Sequence, residues 1–251
     1  MSAARLIGLL AALLVAVAGL GYLASLTVLA PKQIPVPEQR AYVAAPVPAE
    51  APAPVVPAGE PVGAPVADAA WVAKNAEASG VPEIALRAYA TAQLRLAKSC
   101  KLGWTTLAGI GWVESQHGTI DGRVLRADGT SSSRILGPAL DGTGDFAAIP
   151  ATPESSTWHG NDRWDHAVGP MQFIPSTWAT WGSDGDGDGV ADPNDLDDAA
   201  YSAARYLCAE GHDLTTGQGW ADAIFSYNHA QSYVDAVHAA ATSYAERTAA
   251  G

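Results

Sequence analysis

The chain has 251 residues, with 26 acidic and 14 basic side chains and a formal net charge of −12 at pH 7. This balance argues against an electrostatic grip on nucleic acid phosphates, which requires a surplus of Lys and Arg. The two cysteines form no CxxC pair and the six histidines are scattered without metal-ligand spacing, which argues against a zinc site.

The N-terminal 30 residues are predicted to be a transmembrane anchor. Residues 6–30 are 25 consecutive residues without a charge, enough to cross a bilayer as one helix. Arg5 precedes them, so the positive-inside rule leaves the N-terminus in the cytoplasm and the rest of the chain outside the cytoplasmic membrane. The alternative is a cleaved signal peptide that would release a secreted protein, because residues 28–30 resemble a cleavage site. We favour the uncleaved anchor, since Pro31 would follow the cut and the apolar stretch is long.

Residues 31–66 are predicted to be a disordered linker. They contain 10 of the 17 prolines, mixed with Ala and Val. Such a composition favours extended polyproline II conformations and does not build a core. We expect the linker to hold the following domain away from the membrane.

Residues 67–251 are predicted to form one mainly α domain. Helix signals include Pro82-Glu83 as a first-turn pair and acidic residues after Asp195. The stretch from 118 to 169 is rich in Gly, Asp, Ser and Pro and predicts loops with a short hairpin. The predicted helices cover residues 83–101 and 105–114, a helix starting at Pro175, one after Asp195 that ends before Gly211, and residues 220–227 and 232–245.

Glu114 is the first candidate functional residue. It stands at the end of a helix made mostly of apolar and small residues, from Thr105 onward. Apolar surroundings disfavour the charged carboxylate and raise its pKa, as a general acid near neutral pH requires. An exposed Glu at a helix end is the alternative interpretation.

Two further motifs carry polar side chains suited to a sugar. Gln172 lies between Met171 and Phe173, so an amide is flanked by apolar surface that could face sugar rings. Tyr227 and Asn228 lie at i+3 and i+4 from Ile224, on one predicted helix face. The alternatives are a core-forming turn around Gln172, and a buried Tyr with a C-capping Asn.

Taken in order, these motifs resemble those of the soluble lytic transglycosylases, in particular the membrane-bound lytic transglycosylase B type in its actinobacterial form. The resemblance rests on Glu114-Ser115, on the stretch from Arg163 to Trp178 that contains Gly-Pro-Met-Gln-Phe, and on Ala-Ile-Phe-Ser-Tyr-Asn at residues 223–228. It covers about residues 84–239. The resemblance implies a lysozyme-like (SLT) domain that acts on peptidoglycan glycan strands in the cell wall space.

The resemblance also implies residue roles. Glu114 would be the catalytic acid/base, cleaving the bond between MurNAc and GlcNAc and leaving a 1,6-anhydro-MurNAc end with help from the substrate's own N-acetyl group. A hydrolytic muramidase and a non-catalytic peptidoglycan-binding module are the alternatives. The implied substrate contacts are Ser115, Met171, Gln172, Phe173, Tyr227 and Asn228.

An acidic loop follows the Gln172 motif and matches an EF-hand calcium loop at positions 1, 3, 5 and 6. Seven of the 26 acidic residues lie between Asp184 and Asp198. We expect a structural Ca²⁺ and no organic cofactor; a solvated acidic turn is the alternative. The predicted ligands are Asp184, Asp186, Asp188, the carbonyl of Val190, and either Asp195 at position 12 or Asp198, which the longer loop of the family favours.

Cys100 and Cys208 are predicted to form a disulfide. Both lie near the C-terminal ends of predicted helices, and the anchor places the domain in an oxidising compartment. Two buried free thiols are the alternative.

Overall fold

The computed structural model describes residues 65–144, 147–209 and 211–250, together with residues 42, 46, 52, 54 and 55. The predicted transmembrane segment, residues 6–30, lies outside the described residues. None of the helices within the described ranges has both the length and the apolar character that a membrane crossing requires.

The described residues form a mainly α domain, which confirms the fold class expected from the sequence. The helices are α1 (Ala69–Ser79), α2 (Glu83–Leu96), α3 (Trp104–Ser115), α4 (Ser155–His159), α5 (Pro175–Trp181), α6 (Leu196–Ala209), α7 (Gly217–Tyr227) and α8 (Gln231–Ala249). Two short antiparallel pairs accompany them: β1 (Pro54–Val55) with β2 (Val66–Ala67), and β3 (Leu136–Ala139) with β4 (His166–Val168).

Helix α3 lies at the centre of the domain. Every residue from Trp104 to Gly111 is buried, and α8 packs across it more extensively than any other pair of described elements. Gly109 permits this approach, because a Cβ there would lie 2.8 Å from the carbonyl oxygen of Val237 on α8. A helix that is apolar on all sides belongs in a core. Glu114 therefore sits where this core helix reaches the protein surface.

Two helix boundaries differ from the sequence prediction for identifiable reasons. Helix α2 ends at Leu96 and not at Lys101, because residues 97–99 and Lys101 are exposed and gain no burial by continuing it. Helix α7 begins at Gly217, three residues before Trp220, because the Thr216 hydroxyl accepts a hydrogen bond from the backbone N–H of Gly219 (3.1 Å) and caps the helix. Helices α1 and α4 were not predicted.

Described residues of the segment predicted to be a disordered linker contact the domain, while the linker itself remains a prediction. The Tyr42 hydroxyl donates a hydrogen bond to Asp235 (2.5 Å), and its ring lies 4.4 Å from that of His238. The carbonyl of Pro46 accepts a hydrogen bond from the Thr105 hydroxyl (3.1 Å). Tyr and Pro side chains gain free energy by leaving water when an apolar surface is at hand.

Cys100 and Cys208 are joined by a disulfide, the pairing expected from the sequence, with Cα atoms 5.8 Å apart. The bond connects the segment between α2 and α3 to the end of α6. The two cysteines are 108 positions apart in the sequence.

We therefore expect a double Cys100→Ser, Cys208→Ser variant to unfold at lower denaturant concentration than the wild type. In the chain-entropy model a loop of this length contributes roughly 4–5 kcal/mol, and engineered cases often give less. The measurement is chemical denaturation, with thiol titration of the denatured, unreduced wild type beside it. Two reactive thiols per wild-type chain would show that the bond does not form.

Candidate active site

A cleft of about 490 Å³ opens where α3 ends. It brings together Glu114 from α3, Gln172 and Phe173 from the turn before α5, and Tyr227 and Asn228 from the end of α7. These residues lie far apart in the sequence, so the fold assembles the three motifs into one site.

The Glu114 carboxyl is held in an environment that favours its protonated form. Burial raises its pKa from 4.5 to about 7, although a hydrogen bond from the Tyr233 hydroxyl to Oε1 (2.5 Å) acts in the opposite direction. Desolvation therefore outweighs the hydrogen bond. A carboxyl that titrates near neutral pH can both give and take a proton during one catalytic cycle.

Tyr233 is a site residue that the sequence analysis missed. It lies in the first turn of α8, and its ring is stacked parallel to that of Tyr227, with centroids 6.4 Å apart. Burial also raises the pKa of the Tyr233 hydroxyl well above its usual value, so the hydroxyl remains a hydrogen-bond donor to Glu114. No local pattern relates residue 233 to residue 114; only the crossing of α3 and α8 does.

The turn that carries Gln172 is tightly constrained. Gln172 has a φ of +50°, which side-chain-bearing residues rarely adopt, and its amide nitrogen donates to the carbonyl of Gly169 (2.8 Å). Its amide oxygen faces Gly137, a residue of the cleft wall. A Cβ atom added to Gly137 would lie 2.8 Å from this oxygen. The Gln172 side chain therefore holds the turn with its nitrogen and faces the cleft wall with its oxygen.

Two of the predicted substrate contacts, Ser115 and Met171, have buried side chains, and their contact with substrate remains a prediction. Ser115 is buried, and its hydroxyl donates to the carbonyl of Pro170 (2.6 Å) while accepting from the backbone N–H of Gly118 (2.8 Å). Met171 is completely buried, and its carbonyl accepts the hydrogen bond of the Tyr227 hydroxyl (2.8 Å). Neither side chain lines the cleft: the Ser115 hydroxyl holds the turn to α3, and the Met171 backbone carbonyl holds it to α7.

Phe173, Tyr227 and Asn228 do line the cleft. The Phe173 ring meets the Tyr227 ring edge-on at 5.9 Å, so only a small part of it is exposed. Asn228 is the C-cap of α7 with extended backbone angles (φ −145°, ψ 119°), so it leaves the helix at this point. Its side chain is exposed at the cleft because the chain turns outward there.

The acidic loop forms a second candidate site, for a cation. One carboxylate oxygen each from Asp184, Asp186 and Asp188 lie within 4.8 Å of one another. The Asp184 carboxylate also accepts hydrogen bonds from the backbone N–H groups of Gly187 (2.5 Å) and Gly189 (2.9 Å), which curls the loop around it. Three oxygen donors of like charge at this spacing fit a hard cation.

Asp195 and Asp198, the two candidates for the last calcium ligand, accept hydrogen bonds from different parts of the chain. Asp198 closes the loop, because its two oxygens accept from the backbone N–H groups of Gly185 (2.5 Å) and Asp192 (2.8 Å). Asp195 instead accepts from the backbone N–H of Asp197 (2.7 Å) at the start of α6. Burial raises the pKa of Asp198 to about 6 and that of Asp195 to about 7.

Comparison with known proteins finds a family model that matches part of the domain. Residues 156–224 match the family model described as Transglycosylase SLT domain, which confirms the resemblance to lytic transglycosylases and the enzyme class expected from it. The actinobacterial form remains a prediction. A comparison with curated proteins finds no match.

Two solved structures are similar at low identity. The Escherichia coli lytic transglycosylase SLT35 in complex with calcium is 15% identical over 72% of this chain and 80% of that chain, with a TM-score of 0.41. SltB3 from Pseudomonas aeruginosa in complex with NAG-anhNAM-pentapeptide is 18% identical over 68% of this chain and 63% of that chain, with a TM-score of 0.44. Similarity at this level carries no argument about residues.

The raised pKa of Glu114 predicts a pH-dependent stability difference between the wild type and Glu114→Gln. Between pH 4.5 and about 7 the unfolded chain releases the Glu114 proton while the folded domain keeps it, so this residue makes the folded domain less stable as the pH rises. Gln does not titrate. The free energy of unfolding of Glu114→Gln should therefore exceed that of the wild type by up to roughly 3 kcal/mol above pH 7 and by little at pH 4.

Denaturant unfolding at pH 4 and pH 8 measures this difference. An equal change in the free energy of unfolding at both pH values would mean that the Glu114 pKa is unshifted.

Proposed function

We propose that this transglycosylase SLT domain is a peptidoglycan lytic transglycosylase that cleaves the bond between MurNAc and GlcNAc, with Glu114 as acid and then base. The proposal rests chiefly on one observation: a carboxyl whose pKa burial raises to about 7 stands at the edge of the cleft, fixed by the Tyr233 hydroxyl.

The cleft contains one acid where ordinary glycosidases use two. Among the described residues that line it, Glu114 is the only carboxylic acid. Retaining and inverting glycosidases need a second carboxylate as nucleophile or base, except where the substrate's N-acetyl group takes that role. The arrangement therefore supports a mechanism in which the sugar supplies the second reacting group.

The proposed reaction has two steps that balance without water. Glu114 gives its proton to the glycosidic oxygen as the C1–O bond of MurNAc breaks, and the acetamido oxygen bonds to C1. The 6-hydroxyl oxygen of the same sugar then attacks C1 and displaces the acetamido oxygen, while the Glu114 carboxylate takes the hydroxyl proton. The products are a 1,6-anhydro-MurNAc end and a free GlcNAc 4-hydroxyl, and the enzyme returns to its starting state.

The cleft walls support the binding of an N-acetylated sugar. Ile174 gives apolar surface, and Asn228 presents an exposed amide that can both donate and accept. The Tyr227 proton is committed to the carbonyl of Met171, so its hydroxyl oxygen is available as an acceptor. We propose that Gln172, Tyr227 and Asn228 orient the acetamido and hydroxyl groups.

We propose further that the acidic loop holds a structural Ca²⁺ through Asp184, Asp186, Asp188 and the carbonyl of Val190. Asp198 is the better last ligand, because its carboxylate faces the loop and joins its two ends, whereas Asp195 caps α6. The bound ion would offset the repulsion among the clustered carboxylates.

We also propose that residues 6–30 anchor the chain in the cytoplasmic membrane, with the domain in the cell wall space. The support is the uncharged 25-residue stretch behind Arg5. A substrate outside the cytoplasmic membrane requires that location.

Digestion of purified cell walls tests the proposed reaction. The wild type should release muropeptides with 1,6-anhydro ends, detected by mass spectrometry, and kcat/KM should fall as the pH rises above about 7, because the first step needs protonated Glu114. Glu114→Gln should lose at least about a thousandfold in kcat, since both steps use this group.

Reducing ends in place of anhydro ends would show hydrolysis, and binding without release would show a non-catalytic module. Glu154→Gln, which changes an exposed acid away from the cleft, is the matched control and should retain full activity.

Calcium should raise the Tm of the domain relative to a chelator, because a ligand bound only by the folded state stabilises it by mass action, about 2.7 kcal/mol at one hundred times the Kd. A double Asp184→Ala, Asp188→Ala variant should lose this difference, while Asp162→Ala, outside the loop, should keep it. Equal melting temperatures for the wild type with calcium and with chelator would contradict the site.

A further inference from the structure

His117 is a buried titratable residue near the end of α3 that the proposed reaction does not use. It follows the last residue of α3 by two positions, and its backbone N–H donates to the carbonyl of Gly111 (2.8 Å), so the chain curls back onto the helix. Its φ of +60° lies in the left-handed region, which side-chain-bearing residues rarely adopt. Only 2% of the residue is exposed. The fold therefore holds an imidazole inside the core at this point.

Both ring nitrogens of His117 are hydrogen-bonded to tyrosines from different helices. Nδ1 lies 3.1 Å from the hydroxyl of Tyr89 on α2, and Nε2 lies 3.0 Å from the hydroxyl of Tyr244 on α8. Tyr89 is completely buried, and its hydroxyl has no other acceptor among the residues that the structure describes. Tyr89 therefore donates to Nδ1, which leaves the imidazole proton on Nε2 for Tyr244. One neutral chain of hydrogen bonds thus joins α2, the end of α3 and α8.

The imidazole stays neutral over the pH range in which Glu114 titrates. Burial lowers the pKa of His117 from 6.5 to about 3, whereas it raises the pKa of Glu114 from 4.5 to about 7. A charged imidazolium would also turn Nδ1 into a donor and set it against the hydroxyl proton of Tyr89. His117 therefore exchanges no proton near neutral pH, and its effect on the reaction is one of position.

The Tyr89 hydroxyl lies against the face of α3 that carries Glu114. A Cβ at Gly111 would overlap this hydroxyl, and Gly111 precedes Glu114 by three residues, so the two share one helix face. The Met171 sulfur lies beside the same position, 3.4 Å from that Cβ. The space one helical turn below Glu114 is thus filled by a hydroxyl whose hydrogen-bond partner is His117. Without that partner a buried donor would be unsatisfied, which favours the entry of water.

His117 also fixes the helix that presents Tyr233 to Glu114. Tyr233 and Tyr244 are eleven residues apart on α8, close to three full turns, so they lie on the same face of that helix. Tyr233 donates to Glu114, and Tyr244 accepts from His117. The two tyrosines therefore hold α8 against the end of α3 at two separate points.

We propose that His117 is a positioning residue that keeps water out of the space below the Glu114 carboxyl. It satisfies the Tyr89 hydroxyl inside the core and ties α8 to the end of α3 through Tyr244. Because that space stays dry, Glu114 keeps the proton that the first step of the reaction needs. The role in catalysis rests on the proposed function, whereas the effect on the Glu114 carboxyl does not.

His117→Gly in the whole chain tests the proposal, because Gly adopts a positive φ without strain and removes the imidazole. Water should then bind the Tyr89 hydroxyl and lower the pKa of Glu114. The alkaline limb of kcat/KM on purified cell walls should move from about pH 7 to about pH 6 or below. Tyr89→Phe leaves Nδ1 of His117 without its donor and should move the limb in the same direction, which provides the test if His117→Gly does not fold.

His117→Asn separates the hydrogen bond from the filling of space. Asn tolerates a positive φ, and its amide oxygen can accept from Tyr89 although the side chain is smaller than imidazole. The alkaline limb of this variant should stay near that of the wild type. Equal limbs for His117→Asn and His117→Gly would show that volume alone matters, and would overturn the proposal.

Thr106→Val is the matched control. It removes the acceptor of the buried Trp220 indole N–H (3.0 Å) from the same helix, more than two turns before Glu114. It should lower the free energy of unfolding but leave the alkaline limb at about pH 7. A folded His117→Gly variant whose limb also stays at about pH 7 would show that His117 only stabilises the fold, and would overturn the proposal.

Denaturant unfolding separates this proposal from the proposed function, because it needs no substrate. The effect of Glu114→Gln on the free energy of unfolding is measured at pH 4 and pH 8, in the wild type and in His117→Gly. Tyr227, Tyr233 and His229, the titratable neighbours of Glu114 in the cleft and on α8, are the same in every protein compared.

The difference between the two pH values should be no more than about two thirds as large in His117→Gly as in the wild type, because its Glu114 titrates closer to the pKa of the unfolded chain. An equal difference in both would overturn the proposal. If the wild type cleaves no cell wall, the proposed function fails, while the unfolding measurement still decides whether His117 keeps Glu114 protonated.

Discussion

The burial of α3 on all sides is the constraint on which the rest of the structure depends. The small residues of α3 let the backbone of α8 approach it closely, as at Gly109, which faces the carbonyl of Val237. That crossing carries Tyr233 to the end of α3 and encloses Glu114. The same burial that gives the domain its core therefore raises the Glu114 pKa to about 7. The stability of the core and the raised pKa of Glu114 therefore have one physical origin. A buried carboxyl is a feature that selection for stability alone would not favour.

The Gln172 turn joins the parts of the domain that matter for function. Ser115 holds it from α3, Tyr227 holds it from α7, and the acidic loop meets it where the carbonyl of Pro193 lies against Gly169. A Cβ at Gly169 would overlap that carbonyl, and its φ of +80° also suits glycine. A backbone conformation as rare as that of Gln172 persists only where its surroundings determine it from several sides.

The sequence missed elements whose signals were nevertheless present. Helix α1 begins after Asp68, whose carboxylate accepts from the Trp71 N–H (2.9 Å), and ends at Gly80 with a φ of +79°. Both are standard helix-boundary signals. They were missed because the sequence is Ala-rich both before and after residue 67, so composition does not mark where the domain begins. The packing of Tyr42 and Pro46 on the domain had no such signal, because it depends on a surface that only the folded chain presents.

The helical class, the three motifs and the acidic loop could be predicted from the sequence, because they depend on residue type and short spacing. The tertiary structure alone decided which motif residues face the cleft: Phe173, Tyr227 and Asn228 do, whereas Ser115 and Met171 are buried supports. It also decided that Tyr233 meets Glu114 and that Asp198, not Asp195, closes the acidic loop. Local spacing specifies a face of a helix, but which face meets water and which meets another helix depends on how distant elements pack.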